Sequence, residues 1–311
     1  MIAHSDSPPA YTGISNVPPK VLLQLDTDAV FASSFDAIVA ADAGAEHVLR
    51  YAGVTPENVT PLVHGAMFTR GGKDLASTAI FIGGSDVSAA ERVFEQVRAC
   101  FFGPVRVSVM LDANGCNTTA AAAVVAAAKH VTLSGAAVAV LAGTGPVGRR
   151  VAEMCAIEGA EVKLASRSLE KAMQAAKEVN ERLAASSVRP SVRGCQVNRG
   201  GDSEDLFRSC DAVISCGAAG VVLVDAQSLA YAPDSLRVAI DLNAVPPLGI
   251  GGISATDKAA EKLGRIVYGA IGVGGLKMKI HRRAIQEAFE SNDKLLDVAE
   301  IFRLAKIVAS E

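Results

Sequence analysis

The sequence contains no tryptophan, and aromatic residues make up only 5% of its 311 residues. Proteins that bind single-stranded nucleic acid commonly stack the bases on aromatic rings, so this composition argues against such a role. Neither sign of charge is in excess, because 30 basic and 33 acidic residues leave a net charge of −3. We therefore expect no electrostatic attraction to nucleic acid or to an acidic membrane.

Long apolar runs are also absent. The alanine-rich run at residues 120–128 is nine residues long, whereas a transmembrane helix needs about 20. Residues 1–19 contain four prolines and lack the apolar segment of a secretory signal. We expect these residues to form a flexible N-terminal tail, and we expect the protein to be cytoplasmic.

The six cysteines and five histidines show none of the spacings that hold a metal or form a disulfide framework. No C-x-x-C, H-E-x-x-H or G-x-S-x-G motif occurs. The sequence thus predicts reduced structural thiols, no metal site and no nucleophilic triad.

One motif points to a ligand. An apolar run at residues 137–142 ends in a G-x-G-x-x-G, which is followed by a helical pattern and a second apolar run at 162–165. This order is the strand, glycine turn, helix and strand of a dinucleotide-binding unit, in which the helix N-terminus binds the phosphates. The predicted phosphate-binding residues are Gly143, Thr144, Gly145, Pro146, Val147 and Gly148.

The residues at the end of the second apolar run indicate which dinucleotide binds. NAD sites usually place an acidic residue there for the ribose 2′-hydroxyl. This sequence instead has Ser166, Arg167 and Ser168, with Lys171 one turn later. Because a guanidinium can bind two phosphate oxygens at once, we predict NADP as the cofactor, bound in part by these four residues.

Alternating strand and helix patterns predict an α/β fold with two α/β domains and a cleft between them, the second domain being a Rossmann-type doubly wound parallel sheet. We expect residues 20–131 to form the first domain, completed by 275–311, and residues 132–274 to form the NADP-binding domain. Strands are predicted at residues 20–25, 79–82, 105–111, 137–142, 162–165, 191–197, 212–216 and 238–241. Helices are predicted at 45–52, 87–101, 118–129, 276–289 and 295–309 and after Pro146, Ser168 and Asp202, with Asp86 and Asn117 as N-caps.

Ligands of open α/β sheets bind beyond the carboxyl ends of the strands. Polar residues follow several predicted strands and become candidates for a second substrate, namely Asp28, Asn117, Thr118, Thr119 and Asn243. Lys277 follows a glycine-rich segment that could approach a ligand closely, although a lysine near a helix start is unfavourable for the helix dipole.

Several segments of the chain resemble the NADP-dependent methylene-tetrahydromethanopterin dehydrogenases of methylotrophic bacteria, from about residue 20 to the C-terminus. They are LLQLDTD (22–28), TRGGKD (69–74), STAIFIGG (77–84), MLDANGCNTTAAA (110–122), LAGTGPVG (141–148), DLNAVPPLGIGGI (241–253) and GAIGVGGLKMKIH (269–281).

The resemblance implies a tetrahydropterin substrate bound between the domains, hydride transfer to NADP in one-carbon metabolism, and a homo-oligomer. It implies catalytic positions for Lys277, Asp28 and Asp42, with Asn117, Thr118, Thr119 and Asn243 binding substrate. Methylene-tetrahydrofolate is a second substrate to consider. The methylene-tetrahydrofolate dehydrogenases are more distant relatives, and they often use a Lys and Tyr pair for cyclohydrolase activity. We find no match to that pair in this sequence.

Two other functions fit the residues. A shikimate-type NADP dehydrogenase would need a proton-transferring Lys–Asp pair beside the substrate hydroxyl. A non-enzymatic NADP sensor would need only the nucleotide site. Turnover of a tetrahydropterin distinguishes all three.

Overall fold

The computed structural model describes residues 17–197 and 206–311, which form two β-sheets covered by helices, the first wholly parallel and the second mainly parallel. The predicted tail, except for its last three residues, and the start of the helix predicted after Asp202 lie outside the described residues.

The first sheet has five strands, all parallel. These strands are β1 (Val21–Asp26), β2 (His47–Tyr51), β3 (Thr78–Gly83), β4 (Ser108–Leu111) and β12 (Leu295–Leu296). They lie in the order β12-β4-β3-β1-β2. The helices between them are α1 (Ser34–Asp42), α2 (Thr60–Phe68), α3 (Val87–Ala99) and α4 (Cys116–Ala128), with short 3-10 helices at Gly72–Ser77 and Ala113–Gly115.

The second sheet has seven strands. They are β5 (Ala137–Leu141), β6 (Glu161–Ser166), β7 (Val192–Gln196), β8 (Ala212–Ser215), β9 (Val238–Asp241), β10 (Ala260–Lys262) and β11 (Arg265–Tyr268), of which β10 alone is antiparallel to its neighbour. They lie in the order β10-β11-β9-β8-β5-β6-β7. Numbered from β5, the parallel strands follow the order 3-2-1-4-5-6, which is the Rossmann arrangement. The fold class predicted from the sequence is confirmed.

The described helices of the second half are α5 (Pro146–Ile157), α6 (Leu169–Ala185), α7 (Ala226–Ala230), α8 (Ala270–Ala288) and α9 (Val298–Ser310). The C-terminal segment returns to the first sheet, because β12 pairs with β4 and α9 packs on α4. None of the described helices is long and apolar enough to cross a membrane.

Helix α4 lies between the two halves of the molecule. It contacts α5 on one side and α8 and α9 on the other. All of its alanines except Ala128 are buried, on every face of the helix, in a core cluster that reaches from Phe81 of the first sheet to Leu164 of the second. A helix that is apolar all round belongs in a core, and small side chains let its neighbours approach closely.

Two local predictions are wrong. Residues 45–52 do not form a helix, since 47–51 form the edge strand β2 paired with β1. Asn117 is not the N-cap of α4, because the helix begins at Cys116 and the buried carboxylate of Asp112 accepts hydrogen bonds from the backbone N–H groups of Asn117 and Thr118, at 3.0 and 3.1 Å. Asp86 does cap α3, accepting a hydrogen bond from the Ala89 N–H. The sequence patterns missed α1 and α2 altogether.

Candidate active site

The glycine turn between β5 and α5 has the geometry expected of a phosphate-binding loop. A Cβ on Gly148 would lie 2.5 Å from the Cα of Gly143, so only glycine allows α5 to pack this closely. A Cβ on Gly143 would lie 2.8 Å from the Cγ of Leu164. Space beside Gly145, the N-cap of α5, is open to 4 Å, which leaves room for a ligand at the helix N-terminus.

A pocket of about 190 Å³ opens beside this turn. Three of the predicted cofactor residues, Thr144, Ser166 and Arg167, line it together with apolar residues of β5, β6 and the loop after β8. Arg167 is exposed, and its carbonyl accepts a hydrogen bond from the Gln196 side chain at 3.0 Å. The pocket therefore presents a guanidinium, a hydroxyl and no carboxylate at the end of β6, which fits a 2′-phosphate.

The remaining predicted cofactor residues lie around this pocket in different roles. The Ser168 hydroxyl oxygen caps α6 by accepting a hydrogen bond from the Lys171 N–H, and the Lys171 side chain is exposed. Pro146 is the first residue of α5. Val147 is only partly buried and packs against the two largest core clusters, so its side chain acts in packing.

A second pocket, of about 280 Å³, lies beyond the carboxyl ends of β1, β3 and β4. Its walls are polar, and two of its residues, Asp28 and Lys277, were predicted from the sequence. We call it the acidic cleft, and it is lined by Asp26, Asp28, Ser33, Phe35, Asp36, Gly84, Ser85, Asn114, Gly115 and Lys277.

Lys277 enters the acidic cleft from α8. Its Nζ lies 4.4 Å from the centroid of the Phe35 ring, within cation–π distance. A Cβ on Gly115 would come within 3.2 Å of this Nζ, and Gly115 also has a φ of +59°. Glycine at position 115 therefore leaves room for the ammonium group of Lys277.

Two aspartates organise the loop after β1. Asp26 is fully buried and accepts hydrogen bonds from the N–H groups of Asp28 and Ser33, both at 2.9 Å. Asp28 in turn accepts hydrogen bonds from the hydroxyl and the N–H of Ser85, at 2.6 and 3.0 Å. These two bonds lower the pKa of Asp28, so it carries a negative charge in the cleft.

Asp36 is the most perturbed carboxyl group in the acidic cleft. Burial raises its pKa from 3.8 to about 6, and the nearby charge of Asp112 adds to this effect. The Ser33 hydroxyl and the Lys277 ammonium act in the opposite direction by favouring the carboxylate. A carboxyl group with a pKa this close to neutrality, in a cleft and beside a lysine, is typical of a functional site.

Beneath the acidic cleft lies a buried polar layer. The Thr118 hydroxyl donates to Asp112 at 2.6 Å, and the Asn117 amide donates to the Leu111 carbonyl at 2.7 Å. Both side chains are fully buried. Asn117 and Thr118 therefore support the floor of the cleft, and their contact with substrate stays a prediction.

His281 belongs to the same layer and lies one helical turn beyond Lys277. Its ring stacks on Phe81, and its Nδ1 is 3.7 Å from a carboxylate oxygen of Asp112. Burial lowers the pKa of His281 to about 4, with Lys277 contributing, so the imidazole is neutral at physiological pH. This histidine packs beneath the lysine without adding charge to the cleft.

Arg150 joins the polar layer to the cofactor helix α5. Its Nε donates to the Asn117 side-chain oxygen at 3.1 Å, and its terminal nitrogens pair with Glu153 at 3.1 Å and with Glu91 of α3. Only 6% of the arginine side chain is exposed. Hydrogen-bonded and ionic contacts thus connect the turn that would hold NADP to the floor of the acidic cleft.

Comparison with known proteins identifies the family of this chain. Residues 34–114 match the N-terminal region of methylene-tetrahydromethanopterin dehydrogenase. The chain is 47% identical to the bifunctional protein MdtA of Methylorubrum extorquens strain AM1, over 93% of this chain and 99% of that protein. It is 30% identical to the NAD(P)-dependent methylenetetrahydromethanopterin dehydrogenase of the same organism, over 93% and 98% of the two chains. The chain belongs to the methylene-tetrahydromethanopterin dehydrogenase family.

Solved structures support the fold alone. Ligand-free 5-ketofructose reductase of Gluconobacter sp. strain CHM43 aligns with a TM-score of 0.51 at 13% identity, covering 94% of this chain and 99% of that chain. Ligand-free aspartate transcarbamoylase of Trypanosoma cruzi aligns with a TM-score of 0.51 at 10% identity, covering 87% and 82%. Both likenesses extend over the two α/β halves.

Three further residues predicted to be catalytic or to bind substrate do not line the acidic cleft itself, and their roles stay predictions. Asp42 is exposed at the C-terminal end of α1, about 12 Å along the helix from Ser34, and lies 4.0 Å from Arg282. Asn243 is buried and shapes its own loop by bonding to the Val245 N–H and the Pro247 carbonyl. Thr119 is half-buried at the edge of the cleft, with its Oγ1 3.9 Å from a Cβ built on Gly115.

Four residues that line the acidic cleft were not predicted from the sequence, namely Ser33, Phe35, Asp36 and Ser85. Asp36, Ser33 and Phe35 belong to a helix start that the periodicity did not reveal, although a serine three residues before an aspartate is a recognisable capping signal. Ser85 does follow a predicted strand and could have been selected by the same rule as Asp28. Among the described residues, no group of histidine, cysteine and acidic side chains could hold a metal ion.

Proposed function

We propose that this protein catalyses the reversible oxidation of methylene-tetrahydromethanopterin to its methenyl form, with NADP as the hydride acceptor. The observation that carries the proposal is similarity to a named methylenetetrahydromethanopterin dehydrogenase over 93% of the chain, together with an intact glycine turn. Methylene-tetrahydrofolate is the second substrate to be assayed. The reaction moves one hydride with its electron pair, leaves a methenyl cation and requires no proton transfer.

The cofactor would lie in the pocket beside the glycine turn. Backbone N–H groups at the start of α5 would bind the pyrophosphate near Gly145, and Arg167 with Ser166 would bind the 2′-phosphate. Lys171, exposed in the first turn of α6, would add a second positive charge. When bound there, NADP supplies a nicotinamide ring that accepts the hydride.

The tetrahydropterin would lie in the acidic cleft. Its product is a cation spread over two nitrogens, so a carboxylate near the forming charge stabilises the transition state. Asp28 is ionised, and Asp36 becomes ionised above about pH 6. Lys277, held over Phe35 and beside Gly115, would orient the substrate through a hydrogen bond to a ring or linker oxygen.

One observation favours a second function of the same class. Lys277 and Asp36 share the acidic cleft, and a lysine beside a carboxyl group is the proton-transferring pair that a shikimate-type dehydrogenase would need. We give more weight to the similarity to tetrahydropterin enzymes, which extends along the whole chain. A lysine beside a carboxyl group occurs in many unrelated active sites, so this pair alone does not identify the reaction.

We further propose a division into two domains. Residues 20–131 and the C-terminal segment form the pterin domain, since β12 pairs with β4. Residues 132–274 form the cofactor domain, although α8 begins at Ala270 and carries the chain across this boundary without interruption.

We also propose that the protein is cytoplasmic and forms a homo-oligomer. The cysteines at 100, 116, 155, 195, 210 and 216 are all free, and burial raises the pKa of Cys155 to about 12, as suits a reduced structural thiol. Leu49 is 44% exposed on the edge strand β2, whose unpaired backbone groups could meet another subunit. Cell fractionation and analytical ultracentrifugation test these two statements.

The decisive assay is turnover. The purified protein is mixed with NADP and, in turn, methylene-tetrahydromethanopterin, methylene-tetrahydrofolate and shikimate, while absorbance of the methenyl product and of NADPH is followed. The proposal requires NADPH formation with the methanopterin substrate. Turnover of shikimate alone would support the second function, and binding of NADP without turnover of any substrate would support a sensor.

A further inference from the structure

The loop between β1 and α1 is fixed at both ends and displays apolar side chains. Asp26 accepts one hydrogen bond from Asp28 and another from Ser33, both at 2.9 Å. The loop gains further support where the Gly53 N–H donates to the Asp28 carbonyl at 2.7 Å. Between these anchors Phe31 is 78% exposed. The hydrogen-bonded loop therefore holds this phenylalanine at the surface.

The exposed apolar surface continues into α1. Phe35 is 49% exposed and Ile38 is 63% exposed, and their spacing of three residues places them on one face of the helix. Val30, next to Phe31, is 73% exposed. We call these four residues, Val30, Phe31, Phe35 and Ile38, the apolar rim. Phe35 itself lines the acidic cleft, so the rim is continuous with the cleft.

The acidic cleft is small relative to a whole tetrahydropterin. Its volume is about 280 Å³, whereas pockets that enclose a drug-sized ligand measure about 300–1,000 Å³. The cleft suits the polar bicyclic head, which carries amino and oxo groups. The rest of the substrate would then lie against the surface that borders the cleft.

The chemistry of the substrate identifies what that surface meets. The methylene carbon that gives up the hydride bridges a pterin nitrogen and the nitrogen of an arylamine. An aromatic ring is therefore attached directly beside the reacting centre, on the side away from the polar head. Flat apolar rings bind best against other aromatic rings, in offset or edge-to-face contact.

We infer that the apolar rim binds the aryl ring of the tetrahydropterin, with Phe31 and Phe35 as its main contacts. This inference rests on the proposed function. It assigns the polar head to the acidic cleft and the aryl ring to the rim, so the two parts of the substrate are recognised by two different surfaces. The rigid loop holds Phe31 in place before the substrate arrives, which limits the entropy lost on binding.

The test compares two exposed phenylalanines. Phe31→Ala removes the rim contact, and Phe102→Ala is the control, since Phe102 is 77% exposed in the turn that precedes β4, at the opposite end of the parallel strands. We expect Phe31→Ala to raise the KM for methylene-tetrahydromethanopterin about 10-fold, the loss of one aromatic contact. The affinity for NADP should not change, and Phe31→Tyr should restore the KM. Phe102→Ala should leave both quantities at their original values.

A probe without the aryl ring separates a subsite from a general effect on the cleft. 6-Methyl-tetrahydropterin carries the polar head alone, and its dissociation constant, measured by calorimetry, should be the same for the original protein and Phe31→Ala. An equal loss of affinity for this probe would overturn the inference, as would an unchanged KM. If no tetrahydropterin is turned over, the proposed function fails. Calorimetry with methylene-tetrahydromethanopterin then still shows whether the rim binds the aryl ring.

The rim could instead be covered by a second copy of the chain. In that case Phe31→Ala would change the sedimentation coefficient of the protein while Phe102→Ala would not. This result would overturn the assignment to the substrate and identify the rim as a subunit contact.

Discussion

Replacing Asp36 by asparagine should make the folded protein more stable at neutral pH and a poorer enzyme. Burial raises the pKa of this carboxyl group to about 6 from 3.8. Between pH 3.8 and about pH 6 the folded protein binds the proton more tightly than the unfolded chain does. The free energy of unfolding therefore falls as the pH rises through this range. Above about pH 7 the whole cost is present.

The size of this cost follows from the pKa. Each pH unit corresponds to 1.36 kcal/mol, so a rise to about 6 costs the folded state about 3 kcal/mol at pH 7.5. An asparagine side chain at this position would carry no charge, and its amide oxygen could keep the hydrogen bond from Ser33. We therefore expect Asp36→Asn to increase the free energy of unfolding by up to about 3 kcal/mol at pH 7.5 and by about half as much at pH 5.

Urea unfolding at these two pH values measures the difference. Asp42→Asn is the matched control, because Asp42 lies on the same helix but is exposed, and its effect should stay within about 0.5 kcal/mol. A stability change for Asp36→Asn that does not depend on pH, or a loss of stability at pH 7.5, would refute the reasoning.

The same replacement should reduce catalysis. In the proposed mechanism the Asp36 carboxylate stabilises the forming cation at pH 7.5, so Asp36→Asn should lower kcat/KM for the pterin about 10-fold or more, comparable to the loss of a charged hydrogen bond. The activity of the original protein should fall below about pH 6, as the carboxylate is protonated, and change little between pH 7 and 8. Activity that stays constant down to pH 5 in both proteins would remove Asp36 from the mechanism.

Three further predictions concern the cofactor, the substrate and the buried network. Arg167→Ala should weaken NADP binding by about 1.5–3 kcal/mol without changing NAD binding, and equal losses measured for both cofactors by fluorescence titration would exclude a 2′-phosphate contact. Lys277→Ala should lower pterin turnover by up to about 100-fold with unchanged NADP binding, while Lys279→Ala, which removes the neighbouring exposed lysine of α8, should keep full kcat and KM. Arg150→Met breaks a buried ion pair and should destabilise the protein by about 3–5 kcal/mol, whereas Arg98→Met, at an exposed pair, should change the urea midpoint very little.

The cofactor turn could be predicted from the sequence because its determinants are local. Gly143, Gly145 and Gly148 lie in one short segment, and the strand, turn and helix that contain them follow one another directly in the sequence. The identity of the residue after β6 is likewise a short-range signal. The structure adds the close approach of Gly148 to Gly143, which accounts for the third glycine of the motif.

The substrate site could be predicted only in part, since it depends on long-range packing. Asp28 and Lys277 lie 249 positions apart in the sequence and meet because α8 returns to the first sheet. Whether Asn117 faces a ligand or the protein interior is decided by Arg150 and by the Leu111 carbonyl. The pattern at residues 45–52 suits a helix equally well, and pairing with β1 makes it a strand.

The central claim is that a hydride passes from the methylene carbon of a tetrahydropterin to NADP. Methylene-tetrahydromethanopterin carrying two deuterium atoms on the methylene carbon is incubated with the protein and NADP, and the products are analysed by absorbance and by mass spectrometry. Our account predicts equal amounts of methenyl product and NADPH, with one deuterium in each NADPH molecule. NADPH without deuterium, or methenyl product formed without NADPH, would contradict it.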